Sequence, residues 1–198
     1  MPAPSRTQRR IDGARQRIVD VTWELLADRP WAEVTVADIC ERADVAPRTF
    51  HRYFPDKVEL LFADSADHER QLHETLATQA IDPSDPEPAL RAALAEMARL
   101  LEPYGAEQLR WRQHTLDSAD DLRSRDLLKQ HRLEAVVAEA LRDAGLDPLR
   151  ARVWAGCALV AAQGALAAWA ENGGDLGQYM QSTADLVWPP DRTTGGGR

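Results

Sequence analysis

The sequence predicts an all-α protein of about nine helices. Apolar residues recur at spacings of three and four along most of the chain, which is the spacing of one helix face. Clusters of Pro, Gly and Asp divide these stretches into helix-sized pieces, and no segment shows the strict alternation of a strand. We therefore expect a small helical head at the N-terminus, followed by a larger helical bundle.

The first helix is predicted over Ile11–Asp28, and Arg29-Pro30 ends it. Its apolar face is expected to hold the residues Ile11, Ile18, Thr22 and Leu25. Residues 1–10 are polar and basic, so we expect a disordered arm there. Two interpretations of this arm stay open: it contacts phosphates or the minor groove of DNA, or it is a solvated tail.

Two short helices joined by a tight turn are predicted within residues 35–54. Thr35 suits the N-cap of the first helix, because its side-chain oxygen accepts a backbone N–H group. Asp44 tolerates the turn between the helices, and Ala46 and Pro47 open the second helix. Apolar and polar side chains then separate around that helix, with Phe50 and Phe54 assigned to the core and Arg48, Thr49, His51 and Arg52 on the other sides. This pattern is typical of a helix-turn-helix.

The stretch VTVADICERADVAPRTFHRYFPDKVELL resembles the DNA-binding segment of the TetR family of bacterial transcriptional regulators. The resemblance depends most on the core T-F-x-R-Y-F-P-x-K, with Thr35 upstream, and extends over about residues 11–72. Two positions differ from the family pattern: Asp44 stands where Gly is usual, and Pro47 lies in the first turn of the second helix. The resemblance implies a DNA-binding domain over residues 11–72.

The second helix is expected to enter the major groove of DNA, with its N-terminal residues at the base edges. Arg48 is the predicted base reader, since a guanidinium pairs bidentately with guanine. By resemblance to the family, Thr35, Thr49, Tyr53 and Lys57 hold phosphates, and the full predicted contact set is Thr35, Ala46, Pro47, Arg48, Thr49, His51, Arg52, Tyr53 and Lys57. The alternative is that Thr35 and Asp56 only cap helices and that Tyr53 only packs.

The formal net charge of −8 does not exclude DNA binding, because the charges are unevenly distributed. Residues 1–57 hold ten Lys and Arg against nine Asp and Glu, a net charge of about +1, so the remainder of the chain carries about −9. The basic groups gather at the N-terminal arm and on the second helix of the helix-turn-helix. The acidic remainder favours solubility.

The remaining residues, 73–190, are predicted to form a ligand-binding and dimerisation domain, and 191–198 a disordered Gly-rich tail. Helices are predicted over 56–77, 88–101, 107–116, 120–144, 148–172 and 175–188, with a Pro/Asp linker at 80–88 and Ser118 as the cap of the helix from 120. The long helix over 56–77 is expected to run from the head into the second domain as a lever. The centre of the helix over 148–172 is small and apolar all round, which predicts either deep core or a subunit interface.

The family resemblance implies an apolar ligand pocket among the helices of residues 57–172. Its candidate lining residues are Leu109, Trp111, Leu116, Trp154 and Trp169, although aromatic side chains at helical positions are also typical of plain core. The resemblance also implies a homodimer through about residues 148–188. An Arg/Leu-rich segment is similar to the mycofactocin-regulator-like subgroup, and on that resemblance the unknown effector is expected to be apolar or an acyl thioester.

Catalytic and metal-binding patterns are not found in the sequence, so we expect no enzymatic activity, no cofactor and no metal. His68 and His73 are five residues apart, whereas the zinc-protease motif needs four to place both on one helix face. Cys40 and Cys157 are expected to be free thiols, in keeping with a reducing cytoplasm. We expect neither a secretion signal nor a membrane span, because the longest apolar stretches are interrupted.

Together with these observations, the family resemblance implies a cytoplasmic, ligand-responsive regulator, by the family's usual outcome a repressor, that binds a palindromic DNA operator as a homodimer. Two other classes stay open. The chain could be a ligand-binding or scaffold protein whose head does not bind DNA, or a helical enzyme with a catalytic set that the sequence does not reveal.

Overall fold

The computed structural model describes residues 6–190, and side chains from Gly13 onward. It confirms the all-α class. Within residues 6–190 it contains nine α-helices, two 3-10 helices and no strand beyond an isolated bridge. The α-helices are α1 (Arg6–Asp28), α2 (Val36–Ala43), α3 (Pro47–Tyr53), α4 (Ser65–Thr78), α5 (Glu87–Leu101), α6 (Gly105–Asp117), α7 (Asp120–Asp143), α8 (Pro148–Asn172) and α9 (Leu176–Val187), and the 3-10 helices span Val58–Phe62 and Glu102–Tyr104.

Two compact units make up the chain, and they divide between Asp64 and Ser65. The sequence predicted the division eight residues later, between 72 and 73. At the N-terminus, α1 already begins at Arg6, so residues 6–10 are helical and not the predicted disordered arm. The rest of that predicted arm, and the predicted tail over 191–198, lie outside the described residues.

The core of the N-terminal unit comes from one face each of α1, α2 and α3 and from the 3-10 helix Val58–Phe62. Its fully buried side chains include Ile18, Leu26, Ile39, Phe50 and Leu60. The buried face of α1 is rotated slightly from the predicted face, since Leu26 is buried whereas Leu25 is only half-buried. Phe50 and Phe54 are 0% and 2% exposed, which confirms their assignment to the core.

The continuous helix predicted over 56–77 is wrong. The structure has the 3-10 helix Val58–Phe62, a turn at Ala63 and Asp64, and then α4. Arg15 of α1 occupies this turn: its guanidinium donates to the carbonyl oxygen of Ala63 and lies 3.5 Å from the carboxylate of Asp64. This tertiary contact holds the turn in the N-terminal unit, and a helical period read from the sequence does not reveal it.

In the second unit, α8 packs against α6, α7 and α9. Its inner face is a row of small residues, of which Ala151, Ala155 and Ala165 are completely buried. Its outer face carries Val153 and Val160, which are 56% and 63% exposed. The inner side of α8 is therefore core, which was one of the two predicted alternatives, and its outer side is an exposed apolar surface.

Among the described residues, α8 is also the one helix that is long and apolar enough to cross a membrane. The sequence expectation of no such segment is therefore wrong on length and composition. A third of the apolar window is buried within the chain, and its buried alanines belong to the core of the second unit.

Aspartate side chains cap α8 and α9, whereas the predicted cap of α7, Ser118, does not form. Asp147 accepts hydrogen bonds from the amides of Leu149 and Arg150, at 3.0 and 3.2 Å, and so caps α8. Asp175 caps α9 in the same way. Ser118 does not cap α7, because its hydroxyl donates to the carbonyl of Thr115 in the preceding helix.

Candidate nucleic-acid interface and ligand cavity

The start of α2 is held by a capping box. Thr35 accepts a hydrogen bond from the Asp38 amide at 3.1 Å, and the Asp38 carboxylate accepts from the Thr35 amide at 2.8 Å. Hydrogen bonds from Thr35, aided by the nearby charge of Arg29, lower the pKa of Asp38 below its usual value. The structure confirms Thr35 as an N-cap residue.

The turn between α2 and α3 depends on a left-handed residue. Asp44 has φ 53° and ψ 53° and is the one non-glycine residue with positive φ in the described chain. Its amide donates to the carbonyl of Glu41 at 3.2 Å, and the next amide, of Val45, donates to Cys40 at 3.0 Å. These bonds close the C-terminus of α2. Asp is one of the few residues other than Gly that visits this conformation routinely, which confirms the predicted turn.

The helix α3 presents most of its predicted contact residues to solvent. Ala46 is its N-cap and Pro47 its first residue, where the missing N–H group of proline removes no helical hydrogen bond. Phe50 lies on the buried side. The exposed members of the predicted set in this segment are Ala46, Pro47, Arg48, His51 and Arg52, while Thr49 and Tyr53 are half-buried.

The two arginines of α3 differ in their surroundings. Arg52 donates to the hydroxyl of Tyr53 at 2.7 Å, and its guanidinium lies 4.7 Å from the centre of that ring. Arg48 is exposed and makes no side-chain hydrogen bond or ion pair within residues 13–190. Arg48 is therefore the cation of α3 whose donors are open to an incoming acceptor.

Lys57 has partners that the sequence analysis did not anticipate. Its ammonium nitrogen lies 2.6 Å from the carbonyl oxygen of Trp31 and 2.7 Å from that of Val34. The same atom is 4.1 Å from the centre of the Trp31 ring, which is a cation–π distance. Lys57 thus anchors the loop that leads into α2. Backbone carbonyls have no residue-specific pattern, so no sequence signal points to this contact.

The second unit contains a cavity of about 420 Å³, which is within the usual size of a small-molecule site. Side chains of α4 to α8 line it. The α4 and α5 wall is apolar apart from one histidine and consists of His68, Leu72, Ala93, Leu94, Met97 and Leu101. Polar lining side chains come from α6, α7 and α8, namely Arg112, Gln113, Asp126, Lys129, Gln130, Glu134 and Gln163.

Of the five predicted pocket residues, Leu109 lines this cavity and the other four lie elsewhere. Leu116 is 1% exposed in the core, and Trp111 is half-buried on α6. Trp154 stacks on Trp188 with ring centres 5.5 Å apart. Trp169 is buried and donates its indole N–H to the carbonyl of Gly174 at 3.0 Å. Trp154 and Trp169 thus have the packing role that the sequence analysis kept as the alternative.

Arg112 and Asp126 form a largely buried ion pair at the cavity, and sequence reasoning missed it. Their nitrogen and oxygen are 3.3 Å apart, and their side chains are 16% and 13% exposed. Burial lowers the pKa of Arg112, and the charge of Asp126 opposes that shift. The two residues lie fourteen positions apart on different helices, so no helical period connects them.

A chain of amide hydrogen bonds continues from this ion pair. Gln130 donates to the carboxylate of Asp126 at 2.6 Å, and Gln163 donates to the side-chain carbonyl of Gln130 at 2.7 Å. We call Arg112, Asp126, Gln130 and Gln163 the polar strip. No group of three or more His, Cys, Asp or Glu able to hold a metal ion occurs within the described residues.

The N-terminal unit is a helix-turn-helix domain of the kind that binds DNA. The sequence model of the tetR family of bacterial regulatory proteins matches residues 18–63. A Mycobacterium tuberculosis protein named as the mycofactocin biosynthesis transcriptional regulator MftR is 38% identical over 72 residues, which are 36% of each chain. The transcriptional repressor LfrR of Mycolicibacterium smegmatis is 35% identical over 86 residues, 43% of this chain and 42% of LfrR.

The fold has solved counterparts over nearly its full length. The Bacillus subtilis regulator FadR, determined in complex with stearoyl-CoA, superposes with a TM-score of 0.59 at 22% identity, covering 87% of this chain and 96% of FadR. Residues 18–63 therefore carry a DNA-binding domain of the TetR family of bacterial transcriptional regulators. The chain spans less than half the length of the curated relatives that it matches.

Proposed function

We propose that the protein is a transcriptional repressor that binds a palindromic DNA operator as a homodimer and is released by a small apolar effector. The observation that carries this proposal is the solvent face of α3, where Arg48 and its neighbours are exposed beside a buried Phe50. A short helix fixed on its inner side and polar on its outer side can enter the major groove without disturbing the core.

The contacts to DNA divide by chemistry. Arg48 reads a base edge, since its guanidinium is exposed and can bind guanine bidentately. His51 and Arg52 supplement it, and Thr35, Thr49 and Tyr53 bind phosphates, which position the helix without reading sequence. Lys57 acts differently from the expectation: with two carbonyls bound, it supports the interface by holding the loop before α2.

The dimer is formed by the outer faces of α8 and α9. Exposed apolar side chains lie on this surface, namely Leu149, Val153 and Val160 of α8 and Leu186 of α9. Exposed apolar groups of this number on two adjacent helices favour association. A dimer places two recognition helices about one DNA turn apart, roughly 34–36 Å, and therefore reads a near-palindrome.

The effector binds in the cavity of the second unit. Its lining is mainly aliphatic, which favours an apolar molecule or the acyl chain of a thioester such as the stearoyl-CoA in the FadR complex. A ligand that prefers the conformation with low DNA affinity must weaken DNA binding by the same coupling free energy that DNA imposes on the ligand. The protein acts in the bacterial cytoplasm, where both DNA and metabolites are present.

Selection of bound sequences from a random DNA pool tests this function directly. Purified full-length protein at a stated salt concentration should recover a palindrome, because two identical heads read two half-sites. Recovery of no specific sequence would refute the repressor and leave a ligand-binding or scaffold role. The selected DNA then serves as the probe with which effectors are screened by release.

A further inference from the structure

The polar strip occupies one part of the cavity lining, while the α4 and α5 wall is apolar except for His68. A ligand that fills the cavity therefore meets hydrocarbon over most of its surface. Apart from His68, the hydrogen-bonding side chains of the lining belong to α6, α7 and α8. Such an arrangement fits an elongated apolar ligand with its polar group at one end.

The charges around the cavity are already balanced. Arg112 and Lys129 provide two positive charges, and Asp126 and Glu134 provide two negative ones. Both oxygens of Asp126 are occupied, one by Arg112 and the other by Gln130. An anionic ligand that formed an ion pair with Arg112 would leave the buried Asp126 carboxylate without its cation, which is strongly unfavourable.

One acceptor of the strip is open. Gln163 donates its amide to Gln130, and its own carbonyl oxygen accepts no hydrogen bond from any described residue. A hydroxyl or N–H group of a ligand can donate to that oxygen. The strip thus ends in a neutral hydrogen-bond acceptor at the cavity.

We infer that the cavity selects an uncharged, largely apolar ligand, or ligand portion, whose single polar group donates to Gln163. The inference rests on the proposed function in treating this cavity as the effector site. Two sources share this chemistry: a free neutral lipophile with one O–H or N–H group, and a hydroxylated acyl chain of a thioester whose charged part stays outside the cavity.

A pair of fluorescent probes tests the charge preference. N-phenyl-1-naphthylamine is uncharged and carries one N–H group, and 8-anilinonaphthalene-1-sulfonate adds a sulfonate to the same skeleton. The full chain should bind the neutral probe at least about tenfold more tightly. Equal or tighter binding of the sulfonate would overturn the inference.

Two substitutions test where the neutral probe binds and whether the Arg112–Asp126 ion pair causes the charge preference. Ala162→Trp fills the cavity and should abolish binding of the neutral probe, so retained binding would show that the probe lies elsewhere. Asp126→Asn leaves Arg112 without its counter-charge. The ratio of the affinity for the neutral probe to the affinity for the sulfonate probe should therefore fall by about tenfold. The matched control Asp143→Asn removes the same charge from an exposed position on the same helix and should leave the preference unchanged.

A second variant keeps the test decisive if Asp126→Asn does not fold. Gln163→Leu removes the acceptor and should weaken the neutral probe by about fivefold. Unchanged affinity of this variant would overturn the assigned acceptor. Displacement of the neutral probe by 3-hydroxylauroyl-CoA but not by unacylated CoA would identify a hydroxylated acyl chain as the source, whereas no displacement would identify a free lipophile.

The probe experiments and the test of the proposed function can fail independently of each other. The probe titrations need no DNA, so they succeed or fail independently of operator recognition. Release of the selected DNA by the sulfonate probe and not by the neutral probe would keep ligand-responsive repression and overturn the neutral ligand class.

Discussion

The ammonium group of Lys57 lies 2.6 Å from the carbonyl oxygen of Trp31 and covers the face of its indole ring. One side chain thereby ties the segment after α3 to the loop before α2. This loop sets where α2 begins, and α2 supports α3. Lys57, which was expected to bind phosphate, therefore helps to support α3.

Lys57→Met should destabilise the N-terminal unit by about 1–3 kcal/mol, because two carbonyls lose a charged donor. DNA affinity should fall for every sequence alike, while the slope of affinity against salt concentration should stay unchanged. Urea unfolding followed by tryptophan fluorescence, together with DNA titrations at several salt concentrations, measures both effects.

The salt slope distinguishes the two roles of Lys57. A direct phosphate contact releases counterions, so its loss would reduce the slope by about one. Unchanged stability of Lys57→Met with a reduced slope would therefore show that the ammonium binds phosphate and not the loop.

Arg48→Ala should relax the preference at one base step and cost about 1–3 kcal/mol of binding to the selected operator. Stability should be unaffected, since Arg48 is exposed and has no side-chain partner within the described residues. Binding titrations against operators that vary at single positions measure the effect. Arg132→Ala removes an exposed arginine from α7 and serves as the control. An equal affinity loss at all operator variants would contradict a base-reading role.

Asp38 should make the N-terminal unit sensitive to acid. Its pKa in the folded state lies below the usual 3.8, so its ionised form stabilises the fold. That contribution is complete well above pH 3.8 and is lost as the pH falls through the lower folded-state pKa. Asp38→Asn should therefore unfold at lower urea concentration than the wild type at pH 6, with the difference shrinking near pH 3. A difference that does not change with pH would exclude this carboxylate as the cause.

Val160→Glu should dissociate the proposed homodimer, because it places a charge at the middle of the exposed face of α8. Analytical ultracentrifugation should then show a monomer, and affinity for the palindrome should fall since the two heads are no longer linked. Leu127→Glu is the matched control, because Leu127 is 59% exposed on α7 and is not a member of the proposed dimer surface. A dimer that persists in Val160→Glu and breaks in Leu127→Glu would relocate the interface to α7.

The helix-turn-helix was predictable because each of its determinants is local. Thr35 and Asp38 form a capping box three residues apart, Asp44 needs only its own backbone conformation, and Phe50 and Phe54 share a helix face by spacing alone. The cavity was less accessible to sequence reasoning. Trp154 and Trp169 were plausible lining residues by type, yet Trp154 stacks on Trp188 and Trp169 bonds to Gly174.

By itself, the sequence determined the helical class, most helix bounds, the turn at Asp44 and the exposed cations of α3, because these follow from periodicity, caps and local conformational preference. Only the tertiary structure decided the break after Phe62, the role of Lys57 and the pairing of Arg112 with Asp126. Each of these depends on a contact between residues distant along the chain: Arg15 with Ala63, an ammonium with two backbone carbonyls, and two side chains on different helices. Such contacts form when helices pack, and packing geometry has no signature in the local spacing of residues.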